Sequence, residues 1–101
     1  DVFHMAIAGD SYDLLGELEG SQLGLFHFND FPESPAIDTQ TDADRVYPGD
    51  GAAPIGDIVS TLRRIGYTGM YSLELFNKGY EEAGAESVAR TGIEKMRALL
   101  G

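Results

Sequence analysis

The sequence predicts an α/β chain of order β-α-β-α-β-α, its strands parallel and joined by right-handed crossovers. Three observations carry this reading. Three short apolar runs, Val2 to Ala8, Leu23 to Phe28 and Met70 to Phe76, alternate with three stretches of helical pattern. Glycines stand where helices would stop, at Gly20 and Gly66. The central run, Leu-Gly-Leu-Phe-His-Phe, is continuously apolar, which suits a strand covered on both faces.

In chain order, the first run, Val2 to Ala8, reads as a strand ending at Gly9. Asp10 or Ser11 then caps a short helix whose apolar positions are Leu14, Leu15 and Leu18. The second strand is Leu23 to Phe28. A long connection follows from Asn29 to Ala53, with Pro32, Pro35, Pro48, a polar stretch from Asp38 to Arg45 and the turn Pro48-Gly49-Asp50-Gly51. No regular structure is read there, and a connection of that length in a compact domain is usually functional or mobile. Pro54 fits the first position of the next helix, in which Ile55, Ile58, Val59, Leu62 and Ile65 fall on one face. The third strand covers Met70 to Phe76, between Gly69 and Asn77-Lys78-Gly79. The last helix covers Ala85 to Leu100, with a buried stripe of Ala89, Ile93, Met96 and Leu100. Its Arg90, Lys95 and Arg97 stay in water and favour the negative end of the helix dipole.

The 101 residues suffice for one domain, and 43% hydrophobic content is that of a globular chain. No apolar run is long enough to cross a bilayer, and no basic region opens the chain as in a secretory signal. A start at Asp1 rather than Met suggests a processed, tagged or truncated product. A net charge of -10, from 17 acidic against 7 basic residues, repels phosphate backbones, so nucleic acid is a poor partner; no nucleic acid and no membrane partner is expected. With no cysteine there is no disulfide and no thiolate metal site, which accords with a cytoplasmic protein.

Ligands of parallel α/β folds sit at the carboxyl ends of strands, so polar residues in or after the apolar runs are the candidates. Asp1 and His4 flank the first run, His27, Asn29 and Asp30 close the second, and Glu74 lies inside the third. Glu74 stands out, because a carboxylate in Tyr-Ser-Leu-Glu-Leu-Phe is expensive to bury without a cation or donors. Its alternative is an edge-strand glutamate facing water. His27 suits a metal, since neutral imidazole is the commonest protein ligand, or a hydrogen-bonded structural place. Arg45 is either a surface ion pair with Asp42 or Asp44 or a guanidinium aimed at substrate oxygens. Asp38, Asp42 and Asp44 lack the spacing of a calcium loop, Pro48 to Gly51 is no phosphate loop, and no nucleophile elbow occurs.

Four segments together resemble the xylose isomerase-like TIM-barrel superfamily of sugar and sugar phosphate isomerases and epimerases. They are Asp1-Val2-Phe3-His4, Leu25-Phe26-His27-Phe28-Asn29-Asp30, Asp44-Arg45-Val46-Tyr47-Pro48-Gly49-Asp50-Gly51 and Tyr71-Ser72-Leu73-Glu74-Leu75-Phe76. In that family they resemble the Asp-x-x-His of the sixth strand, the His-x-x-Asp of the seventh, the Arg and Pro-Gly-x-Gly loop after it, and the Ser-x-Glu of the eighth. The resemblance implies that residues 1–101 form one partial domain, a C-terminal fragment equivalent to the last three units of a TIM (β/α)8 barrel.

It also implies a site. Asp1, His27 and Glu74 would be three ligands of one divalent cation (manganese, magnesium or cobalt), with a further glutamate ligand supplied from upstream. His4 and Arg45 would hold substrate oxygens, and Asp30 would orient a ligand from behind. The reaction would be proton transfer beside the carbonyl of a ketose or related polyol, through an enediolate, with Glu74 as one of two acid/base groups. Three strands of eight leave the inward face uncovered, so the isolated chain is expected to be inactive, its partners being a small sugar or polyol and either a second copy or the missing remainder of the barrel. Two alternatives stand beside the isomerase: a lyase of the same superfamily, such as an inosose dehydratase, and a non-catalytic α/β assembly module.

Overall fold

Two of the three apolar runs form strands in the computed structural model, which describes residues 1–101. Strand β1, Leu25–Phe28, pairs in parallel with β2, Met70–Leu73, in the register Leu25↔Met70, Phe26↔Tyr71, His27↔Ser72 and Phe28↔Leu73. The Glu74 amide donates to the Phe28 carbonyl at 3.3 Å, so the ladder runs one bond past the strand ends. Phe26 and Phe28 point to the core, and Leu25 and His27 to the opposite face. That second face has no cover: Leu25 is 48% exposed, against the expectation of a strand covered on both sides.

The first run is a helix, not a strand. Helix α1, Val2–Ala8, begins at Asp1, whose carboxylate accepts a hydrogen bond from the His4 amide, and ends at Gly9 in the left-handed region at φ 74°. An apolar run of seven residues reads equally as strand or buried helix, and here the cap at each end decides. His4 therefore lies on a helix. The short helix expected next is a 3-10 turn, Tyr12–Glu17, followed by a second at Gly20–Gln22. Gly20 is required there, because a Cβ would lie 2.4 Å from the backbone of Gly66 and Tyr67.

Helix α2, Ile55–Arg64, is the crossover between the strands. Its Ile55, Ile58, Val59 and Leu62 are buried, and Gly66 at φ 77° ends it as the sequence predicts. These four side chains meet Val2, Leu15, Phe26, Phe28, Tyr67 and Met96 in one hydrophobic core. Glu74 falls just after β2, which stops at Leu73 rather than Phe76. A further helix that the sequence reading missed, α3 (Lys78–Ala83), is capped by Asn77, whose side-chain oxygen accepts from the amides of Gly79 and Tyr80. Helix α4, Ala85–Leu100, has the expected bounds but a different buried face. Gly92 and Met96 are buried, whereas Ala89 and Ile93 are exposed. Gly92 causes the rotation: its missing side chain lets α4 settle onto Leu73, whose Cδ2 lies 2.3 Å from where a Cβ would be.

The long connection is more ordered than its composition suggests. Asp30 and Val46 form an antiparallel bridge, and 3-10 turns occupy Ile37–Thr39 and Asp42–Asp44. The chain thus supplies a β1-α2-β2 unit with helices on one side, two strands rather than three. No helix is long and apolar enough to cross a membrane.

Candidate metal centre

Each residue of the cluster is fixed by the end of an element. Asp1 is the cap of α1: its Oδ1 accepts from the His4 amide at 2.9 Å, which leaves Oδ2 turned toward the sheet. His27 projects from β1 on the face opposite Phe26 and Phe28. Glu74 follows β2, where the pleat returns its side chain to the same face as Ser72, the partner of His27. One donor atom from each of Asp1, His27 and Glu74 lies within 4.8 Å of the others. His27 Nδ1 is 3.1 Å from Glu74 Oε2 and 3.9 Å from Asp1 Oδ2.

Two carboxylates and an imidazole are a donor set that divalent cations accept. Bonds of about 2.0–2.2 Å let one ion bridge donors up to about 4.4 Å apart, so a small closing of the cluster would seat it. The local charge favours this. Asp1, Asp42 and Glu74 surround the single guanidinium of Arg45, leaving an excess of negative charge. The residues fit the cation that the sequence implies.

Arg45 lies beside the cluster, 1% exposed. Its Nη1 donates to Glu74 Oε2 at 3.1 Å and lies 3.5 Å from Asp1 Oδ2. Its Nη2 donates to Asp42 Oδ1 at 2.6 Å and to His4 Nε2 at 3.0 Å, which assigns the His4 proton to Nδ1. The rings of Phe3 and Phe76 lie 4.9 and 5.3 Å from the guanidinium carbon. The structure therefore brings Arg45 to the site but turns it toward the carboxylates, with the Asp42 partner that the sequence allowed. His4 reaches the site through Arg45 and is itself exposed.

Asp30 is not brought to the ligands. Its Oδ1 accepts from the amides of Phe31 and Ala53 at 2.8 and 2.9 Å, and its Oδ2 from Gly49 and Gly51, both at 3.0 Å. It pins the turn after Pro48, and that turn leaves no room for a side chain at Gly51, where a Cβ would lie 2.2 Å from the Phe31 carbonyl oxygen. Burial pushes the Asp30 carboxyl up, opposed by the four amide bonds. Tyr12, whose hydroxyl donates to the Val2 carbonyl at 2.9 Å, is pushed up to about 12 by burial and then by the charge of Asp30. The residue that touches a ligand from behind is the neighbour of Asp30, Asn29. Sequence reasoning placed it at the strand end without a role, and its one signal was a polar amide closing an apolar run.

The xylose isomerase-like TIM barrel family model matches residues 1–99. Among curated relatives, the inosose isomerase of Bacillus velezensis is 33% identical over 100 residues, covering 99% of this chain and 35% of that protein. That of Bacillus licheniformis is 36% identical over 94 residues, covering 93% and 34%. The chain thus spans about a third of the length of the curated relatives it matches. Among solved structures, a crystal structure of IolI protein with a bound zinc atom superposes with a TM-score of 0.90 at 30% identity, over 99% of this chain and 36% of that one. A xylose isomerase domain protein from Alicyclobacillus acidocaldarius gives 0.76 at 26% identity, over 99% and 35%. The fold is that of a fragment of a TIM barrel, and the chain belongs to the xylose isomerase-like TIM-barrel family.

Proposed function

We propose that this chain is the C-terminal part of a metal-dependent isomerase or epimerase that moves a proton beside the carbonyl of a ketose or an inosose. The observation that carries the reading is the convergence of Asp1, His27 and Glu74 from three separate elements onto one point. Asp1, His27 and Glu74 would hold a divalent cation (manganese, magnesium, cobalt or the zinc of the IolI structure). Such an ion polarises a substrate carbonyl and stabilises the charge that develops on its oxygen.

The chain's own groups divide the remaining work. Glu74, partly exposed, would take or return a proton at an adjacent carbon while His27 and Arg45 hold its Oε2. Arg45, buried, holds Glu74 and Asp1 side by side rather than facing the substrate. His4, exposed and with its Nδ1 proton free, donates to a substrate hydroxyl. The second acid/base group and the remaining ligand would come from the rest of the barrel, so the isolated chain is inactive toward sugar. That the matched relatives are named isomerases favours this chemistry over the lyase reading.

Calorimetric titration of the purified chain with Mn²⁺, beside the Glu74→Ala variant, tests the site. We expect one ion per chain for the parent and none for the variant. Absence of binding by the parent would sink the metal reading and leave a non-catalytic assembly module. Equal binding by both would place the ion elsewhere.

A further inference from the structure

The side chain of Asn29 is fully buried and every polar atom of it is used. Its oxygen accepts from the Phe3 amide at 2.9 Å, in the first turn of α1. Its nitrogen donates to Asp1 Oδ2 at 3.1 Å and to the Glu74 carbonyl at 3.3 Å. One carboxamide at the end of β1 thus joins the start of α1, the end of β1 and the end of β2. Those are the three places from which Asp1, His27 and Glu74 project.

The two oxygens of Asp1 are therefore held for different tasks. Oδ1 caps the helix through the His4 amide, and Oδ2 is steered by Asn29 and Arg45. An aspartate in place of Asn29 would set a third carboxylate against Asp1 and against the Glu74 carbonyl. A side chain without the amide would release Asp1 to rotate about its own bonds. Only an amide supplies an acceptor for Phe3 and donors for both Asp1 and Glu74 in one rigid plane.

We infer that Asn29 is a positioning residue of the metal centre: it aims Asp1 Oδ2 at the shared point and locks the Glu74 backbone beside it. This rests on the metal reading above. Groups that hydrogen-bond a metal ligand from behind typically set affinity by about 10–100-fold when removed. A second buried amide provides the comparison. Gln40 donates to the carbonyls of Pro32 and Pro35 at 2.8 and 2.7 Å, away from the cluster, so its loss loosens the fold without touching a ligand.

The experiment measures Zn²⁺ affinity and thermal stability for the parent, Asn29→Ala and Gln40→Ala, together with side-chain amide resonances of the parent chain during titration with Zn²⁺. Both variants are expected to melt earlier. Only Asn29→Ala should lose Zn²⁺ affinity, by about 10-fold or more. In the parent, the Asn29 amide resonances should shift along the binding curve while those of Gln40 stay still, a readout that needs no variant to fold. Parent and Asn29→Ala binding Zn²⁺ equally, or an Asn29 amide unmoved at saturation, would overturn the inference and leave the metal centre standing. Failure of the parent to bind would overturn both.

Discussion

Asp30 shows what one buried carboxylate can do away from any ligand. Four backbone amides converge on it, so the turn from Gly49 to Ala53 is built around its two oxygens. Replacing it by asparagine keeps the shape but turns an NH2 toward the amides of Gly49 and Gly51, donor against donor. Urea unfolding of Asp30→Asn should show a loss of about 2–4 kcal/mol, and a loss below about 0.5 kcal/mol would contradict this account. The family resemblance implied that Asp30, in the His-x-x-Asp segment, is a partner of the ligands. Its partners are the amide of Phe31 beside it and those of Gly49, Gly51 and Ala53 in a distant turn, and no residue pattern encodes a backbone donor. Glu74 was legible for the opposite reason. A carboxylate between Leu73 and Leu75 has a cost that must be met, and the structure meets it with Arg45 and His27.

At the scale of elements, α2 and α4 were readable because their apolar residues recur at helical spacing over many positions. Helix α1 was not, since six of its seven residues are apolar, His4 excepted, and only the Asp1 cap and Gly9 distinguish helix from strand. The buried face of α4 was misplaced by one glycine, because apolar periodicity gives no weight to a residue whose value is its lack of a side chain. The junction between α1 and the turn at Tyr12–Glu17 carries a pH signature. Tyr12 donates to the Val2 carbonyl, and its phenol is raised from 10.0 to about 12 in the fold. A folded value above the unfolded one means that the neutral phenol is the stabilised form. Its contribution is complete below pH 10 and is lost as pH rises toward about 12. Urea midpoints taken on either side of pH 10 should fall for the parent, and fall less for Tyr12→Phe. Tyr71 and Tyr80, raised by burial, and Lys95, raised by its bond to Asp50, would account for what remains. An equal fall in both proteins would remove Tyr12 from the explanation.

At the scale of the molecule, the two-stranded sheet leaves apolar surface without cover. Met70 is 71% and Ile93 46% exposed, and they edge a groove of roughly 660 Å³ between β2 and α4, lined also by Tyr71, Leu73 and Val88. Apolar surface of this kind beside a free strand edge promotes association. Sedimentation of the isolated chain should therefore show concentration-dependent self-association, relieved in a Met70→Lys, Ile93→Glu double variant of unchanged helix content. A parent chain that stays monomeric across a wide concentration range would contradict this. The order β1, α2, β2, α4 could be read from the sequence, but the helix α3 and the number of strands could not, since the first run was counted as a strand.

The placement of the cluster at element ends has a consequence for how such a chain can diverge. Asp1 caps a helix, His27 stands on a strand and Glu74 follows the next, so their relative positions are inherited from the frame. The stretch from Phe31 to Thr41 makes no hydrogen bond to any of these three side chains, and its own bonds close within itself or onto the neighbouring loop. Insertions there cost free energy that grows only with the logarithm of length, while the frame keeps its register. The stretch can thus change in length and sequence while the three donors keep their places in space.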